Sequence, residues 1–134
     1  MKIWGKIANI PVGDDYNVVV VGVLNVSPES FYKGSVAKSK KEIEEKTLRM
    51  VEEGAKIIDV GAMSTAPGVP PISLTEEKRR MRFAIRTLRD IIDVPISADT
   101  FRAEVANIAL REGATIVNDV SGLKADERMA QIIS

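Results

Sequence analysis

The chain has 134 residues, 45% of them hydrophobic and 28% charged, the balance of one ordinary globular domain. Lys plus Arg and Asp plus Glu each number 19, so no net charge points to nucleic acid or to an anionic membrane surface. There is no cysteine and no histidine, which excludes disulfides, imidazole general bases, Ser-His triads and His- or Cys-ligated zinc within this chain. Chemistry then rests on carboxylates, amides, hydroxyls, Lys, Arg and backbone N–H groups, with or without a hard metal. The N-terminus carries no signal-peptide pattern, and no stretch approaches the roughly 18 apolar residues of a membrane span. A cytoplasmic location is the default expectation.

Residues 1–17 read as an extension or as a short hairpin, with Ile3, Ile7, Ile10 and the Gly13-Asp14-Asp15 turn residues as its elements. Residues 18–134 then alternate short apolar runs with segments of helical period. Val18 to Leu24 is apolar on both faces, as a buried parallel strand requires. Ser39-Lys-Lys-Glu42 is a capping-box signature, followed at helical spacing by Ile43, Thr47, Leu48, Val51 and Ala55 and stopped near Gly54. Lys56 to Val60 is a second strand. Thr75 with Glu76 and Glu77 opens a second helix, whose Met81, Ala84, Ile85, Leu88 and Ile91 form one stripe. Val94 to Ala98 is a third strand, with Pro95 tolerable near its start. A helix follows Thr100, turns Val105, Ile108 and Ala109 inward and stops at Gly113. Thr115 to Val117 is the fourth strand, and Asp126 to Ile133 begins a fourth helix.

An internal echo fits this order. Glu52 to Gly61, "EEGAKIIDVG", parallels Arg111 to Gly122, "REGATIVNDVSG": a helix end, Gly-Ala, a strand, then an acid or amide at the strand's exit. Any helix-to-strand junction favours Gly followed by β-branched residues, so the echo argues for repeated βα units and not for an activity. Alternating βα implies a parallel sheet, doubly wound or closed as a (β/α)₈ barrel. A barrel typically takes about 250 residues, so this chain would make roughly half of one.

The four strand exits carry Asn25, then Asp59, then Asp99-Thr100, then Asn118-Asp119. In both candidate folds that edge is where ligands bind. Such residues also serve as helix N-caps and turn formers, and for Thr100, ahead of a helix, that account carries at least equal weight. Four polar exits in four consecutive strands favour a shared site. Carboxylates and amides match rings that present N–H and C=O edges, as pterins and purines do. Asn25 can instead give an oxygen to a hard cation.

These residues carry a resemblance. "VGVLNVSPESF" (Val21 to Phe31), "GAKIIDVGAMSTAPG" (Gly54 to Gly68) and "ISADTFRAEVANIALREGATIVNDVSGL" (Ile96 to Leu123) resemble, in order and spacing, the signatures of the dihydropteroate synthases and the wider pterin-binding barrel family. The resemblance spans about Val18 to Leu123. It implies the N-terminal (β/α)₄ portion of a (β/α)₈ barrel of the TIM type. It also implies a transferase that joins a dihydropterin pyrophosphate to an aminobenzoate and releases pyrophosphate, in folate biosynthesis. Carried over by position, Asn25 matches an asparagine that helps bind Mg²⁺ beside the pyrophosphate. Thr65 matches a threonine near the leaving phosphates and the aminobenzoate. Asp99 and Asn118 match residues that hydrogen-bond the pterin, and Asp59 an acid that supports the site. The amine nucleophile belongs to the substrate, so a chain without histidine is compatible with the reaction.

The chain departs from the family pattern at Glu29 (usually Asp), at Tyr32 to Ser35, at Ala62-Met63 (usually Gly-Glu) and at Ala66 (usually Arg, the better bidentate partner for phosphate). These positions lie in the loops that the family uses for pyrophosphate and aminobenzoate, while the pterin-facing positions match. Three readings follow: a synthase-like transferase or its N-terminal half, a pterin-dependent methyltransferase domain, and a non-catalytic half-barrel used for binding or assembly. Four βα units cannot close a cylinder. Self-association, or pairing with a C-terminal half-barrel, is therefore expected, with the apolar faces of Val18 to Leu24, Ile57 to Val60 and Ile96 meeting water in a lone monomer.

Overall fold

In the computed structural model, which describes residues 1–26, 36–63, 68 and 70–134 (backbone only at 36–38), the chain begins with a hairpin. Strands β1 (Trp4–Ile7) and β2 (Ile10–Gly13) pair antiparallel, with Ile7 opposite Ile10 and Trp4 opposite Gly13. The two turn residues, Ala8 and Asn9, both have positive φ (44° and 73°), the conformation whose twist matches paired strands. The turn is therefore at Ala8-Asn9, and Gly13-Asp14-Asp15 lie at the other end of the hairpin. Those residues close the open end instead: Ile3 N–H donates to Asp14 Oδ2 at 2.9 Å, and a Cβ at Gly13 would collide with the Ile3 carbonyl.

The four apolar runs become parallel strands in the order β3 (Val21–Asn25), β4 (Ile57–Gly61), β5 (Ile96–Asp99) and β6 (Ile116–Asn118). Helices α1 (Val36–Glu52), α2 (Leu74–Arg89) and α3 (Ala103–Glu112) follow the first three strands, and the short α4 (Met129–Ile133) follows β6. This is the expected (β/α)₄ portion of a (β/α)₈ barrel. The hairpin lies by the N-terminal ends of the strands, where Ile10, Pro11 and Tyr16 share a cavity with Lys56, Val94 and Pro95.

Strand alternation divides the residues between two faces. On the helix side, Leu24, Ile58, Val60, Ile96 and Ala98 pack with Ile43 of α1, Met81, Ala84, Ile85 and Leu88 of α2, and Val105 and Ala109 of α3. Each large aliphatic side chain buried there contributes about 1.5–3 kcal/mol. Gly22 admits α1 closely: a Cβ there would stand 2.9 Å from Met50 Sδ and 3.0 Å from Ile58 Cδ1. The opposite face carries the strand-exit residues.

Several local expectations are corrected. The helix α1 begins at Val36, so Ser39 is a buried residue inside it and not its cap, and Leu48 is exposed. The capping serine is instead Ser73: it is extended (φ −63°, ψ 154°) and its Oγ accepts from the Glu76 N–H at 3.1 Å, so Thr75 is one residue inside α2, while the Glu76 side chain turns to Arg79 and Arg80. Each sheet strand starts one to three residues later than expected and ends one residue later, because the pairing that defines it runs on to Asn25, Gly61, Asp99 and Asn118. The helix α4 starts at Met129 and not Asp126, since Asp126 Oδ2 is engaged by the Ala103 N–H of α3 at 2.8 Å. Of the expected water-facing apolar surface, the first run is the exposed part: Val18 and Val20 before β3, and Val21 and Val23 within it, are 92%, 54%, 45% and 60% exposed. Ile57, Ile58, Val60 and Ile96 are buried, three of them because they point into the helix layer.

The cap assignment has a direct test. Ser73→Ala should cost about 1 kcal/mol of stability, read from the urea midpoint, while Thr75→Ala should change it by less than about 0.5 kcal/mol.

Candidate functional site

Parallel register places the exits in one row. Asn25 pairs with Gly61, Gly61 with Asp99, and Asp99 with Asn118. The row below it is Val23, Asp59, Ser97 and Ile116. The structure thus brings together four of the five expected residues, Asn25, Asp59, Asp99 and Asn118, on one face at the carboxyl end of the sheet. Thr65, and the loop departures at Glu29, Tyr32 to Ser35 and Ala66, lie outside the described residues.

Gly61 keeps the row open. A Cβ at this position would lie 3.3 Å from Asn25 Oδ1 and 3.9 Å from Asp99 Oδ2. Below the row Asp59 is only 6% exposed, and its Oδ2 accepts from Asn118 Nδ2 at 3.2 Å. An ionised carboxylate can only accept, so this contact orients the amide: the Asn118 NH₂ faces Asp59 and its Oδ1 is left as an acceptor. The other Asp59 oxygen, Oδ1, is buried without a hydrogen-bond partner among the described residues. An unsatisfied carboxylate oxygen inside a concave face marks a place for a donor. Burial pushes the Asp99 carboxyl up to about 6, reinforced by the Asp59 carboxylate and, more weakly, by Glu77 and Asp119.

Two strand-exit residues are used elsewhere. Thr100 Oγ1 accepts from the Arg102 N–H at 3.1 Å, which makes it a turn former rather than the N-cap of α3 (that position is Arg102), and donates to Glu77 Oε2 at 2.7 Å. Asp119 folds its own turn, with Oδ1 accepting from the Ser121 N–H and hydroxyl and Oδ2 from the Leu123 N–H.

Sequence reasoning missed Glu77 and Arg80. Glu77 is fully buried, held by Thr100 and by Arg102 Nη1 at 3.2 Å; burial raises its pKa against the pull of both partners. Arg80, 3% exposed, donates to the Ala62 carbonyl at 3.3 Å and to Glu76 at 2.8 Å. The signal was present in the pattern: Glu77 stands four residues before Met81 on the inward stripe of α2, where a charge has no place unless it is paired.

The donor set bears on the metal. Among the described residues no group of three or more His, Cys, Asp or Glu side chains is placed to hold an ion. Asn25 Oδ1 is one hard oxygen at the edge of the row. Mg²⁺ commonly keeps several waters and is held through one or two protein oxygens plus substrate phosphates. Asn25 Oδ1 is compatible with an ion held in that way.

The raised Asp99 pKa predicts a pH effect on stability. Its folded value, about 6, exceeds the usual 3.8, so the folded chain holds this proton more tightly than the unfolded chain does. The Asp99 contribution is therefore most favourable below about pH 4 and is lost as pH rises through about 6. Asp99→Asn should melt higher than the wild type at pH 7, with the gap closing as the pH falls to 4 in parallel thermal scans.

Comparison with known proteins follows the same residues. The chain matches the family described as pterin binding enzyme over residues 21–134. It is 48% identical over 119 residues to a dihydropteroate synthase of Synechocystis, a match covering 89% of this chain and 38% of that protein. In three dimensions it is similar to the dihydropteroate synthase of Clostridium difficile solved in the presence of pteroic acid (TM-score 0.81, 42% identity, 90% of this chain and 46% of that one). It is also similar to the Burkholderia cenocepacia dihydropteroate synthase complexed with 7,8-dihydropteroate (TM-score 0.75, 30% identity, 92% and 39%). The chain spans less than half the length of each of these relatives. A family match over residues 21–134 covers every strand of the parallel sheet and all the strand-exit residues, and the chain belongs to the pterin-binding enzyme family.

Proposed function

We propose that this chain supplies the pterin and diphosphate subsites of a dihydropteroate synthase. The observation that carries the reading is the row Asn25, Gly61, Asp99 and Asn118 with the Asn118 amide oriented by Asp59. Adjacent strands stand about 4.8 Å apart, so the row spans roughly 14 Å, the reach of an extended ligand. Asp99 and Asn118 Oδ1 offer acceptors to the N–H edge of a dihydropterin at one end. Asn25 offers its amide oxygen at the other, where the pyrophosphate would lie with Mg²⁺, which supplies charge neutralisation for the leaving group. In the reaction the amine nitrogen of an aminobenzoate bonds to the pterin's methylene carbon, the carbon–oxygen bond to pyrophosphate breaks, and the nitrogen loses a proton. The chain's own residues hold the ring still and keep the methylene aligned for that displacement.

Thr65 belongs to this proposal as a contact to the leaving phosphates and the aminobenzoate, with Arg80 fixing Ala62 at the start of its loop. The synthase relatives favour this reading over methyl transfer from a reduced pterin. The half-exposed Val21 and Val23 on the outer strand β3 support a further protein contact there, from a second copy or from additional barrel strands. Among the described residues no helix is long and apolar enough to cross a membrane, and a cytoplasmic site of action is part of the proposal.

Titration with a dihydropterin, with and without its pyrophosphate and Mg²⁺, tests the assignment. Asn25→Ala should weaken the metal-dependent binding of the pyrophosphate form and leave the bare pterin nearly unchanged; equal losses for both would remove the metal role. Asp99→Ala and Asn118→Ala should each weaken the bare pterin by about 1–3 kcal/mol, the usual cost of a lost buried partner. Titrations like those of the wild type would return both residues to capping and turn roles.

A further inference from the structure

Thr100 lies between the two ring-reading residues in a way the sequence does not show. It follows Asp99 directly, and its N–H donates to the Asn118 main-chain carbonyl at 3.2 Å, bridging the exits of β5 and β6. Its hydroxyl does two more things. It accepts from the Arg102 N–H at 3.1 Å, in the turn that leads into α3, and it donates to Glu77 Oε2 at 2.7 Å. Glu77 is fully buried and reaches this point from α2, the helix behind the sheet. Its second oxygen is taken by Arg102 Nη1 at 3.2 Å. A charged carboxylate placed in an apolar layer costs several kcal/mol unless each oxygen is engaged, so its partners are strongly specified. The side chain has no access to a ligand on the concave face.

We propose that Glu77, acting through Thr100, is a positioning residue that sets the separation and orientation of Asp99 and Asn118. The proposal rests on the pterin-subsite reading and adds to it the groups that hold that subsite in shape. A short hydrogen bond from a rigid helix to a strand exit leaves Thr100 one arrangement. The main chain at Asp99 and the β6 exit at Asn118 are covalently and hydrogen-bonded to it, so they inherit that arrangement. Without the bond, β5 and β6 would still pair through Ser97 and Ile116, but the row above them would be free to shift.

Thr100→Val keeps the shape and removes the hydroxyl, Thr100→Ser restores a hydroxyl, and Glu77→Gln keeps an acceptor for it while removing the charge. Two readouts separate positioning from folding. In the ligand-free chain, the Asn118 side-chain amide signals, sharp and dispersed by the bond to Asp59, should shift or broaden in Thr100→Val and return in Thr100→Ser and Glu77→Gln. In titration, Thr100→Val should bind bare dihydropterin about tenfold more weakly, with the additional fold-gain from pyrophosphate and Mg²⁺ unchanged and with affinity recovered in Thr100→Ser. An unchanged Asn118 amide in a folded Thr100→Val overturns the proposal, as does a loss of thermal stability without either effect. Failure of the wild type to bind dihydropterin would instead remove the pterin reading, and the Asn118 amide would still decide whether Glu77 positions the row.

Discussion

Everything at the candidate site depends on the register of the parallel sheet. Side chains alternate with a period of two, so a slip of one residue in any strand would send its exit residue into the helix layer. The register is held by the helix side: Leu24, Ile58, Val60, Ile96 and Ala98 must all face α1 to α3, and their burial leaves Asn25, Gly61, Asp99 and Asn118 facing the other way. The apolar core and the polar row are two consequences of one pairing.

The electrostatic layout divides along the same surface. Burial and the nearby Asp59 carboxylate disfavour ionisation of Asp99, and Asp59 keeps one buried oxygen without a hydrogen-bond partner among the described residues. Behind them Glu77 is matched by Arg102 and Thr100, and Glu76 by Arg79 and Arg80. Glu76 and Glu77 have their charge met by arginines, whereas Asp59 and Asp99 form no ion pair among the described residues and Asp59 is met only by the Asn118 amide. A ligand edge rich in N–H groups would relieve both the repulsion and the unsatisfied oxygen, which is the physical sense of a pterin at this position.

The helix α2 ties these layers together. Its apolar stripe supplies Met81, Ala84, Ile85 and Leu88 to the core, and the same inward side carries Glu77 and Arg80 to the exits of β5 and β4. The β6 exit is tied separately, through Asp126 to the first turn of α3 and through the self-contained turn at Asp119. Each strand exit described from β4 onward thus has a polar anchor outside the cavity, so the site's shape does not rely on a ligand to create it.

Much of this was legible in the amino-acid order alone. Alternating apolar runs and helical periods set the βαβαβαβα succession, and the polar residue ending each run located the site, because an unpaired polar group is not tolerated in a strand interior. Local detail was less legible. Ser39-x-x-Glu42 and Ser73-x-x-Glu76 carry the same capping signature, and which of them caps a helix depends on where the chain leaves the sheet and on whether the serine meets the core. The hairpin turn at Ala8-Asn9 was likewise hidden, since alanine seldom takes positive φ and the pairing of Ile7 with Ile10 imposes it. Sequence by itself determined which residues stand at the strand exits. Only the tertiary structure decided what each of them is bonded to, because the partners come from distant parts of the chain: Glu77 reaches Thr100 from the helix layer, and Asp59 meets the Asn118 amide from the row below on the same face of the sheet.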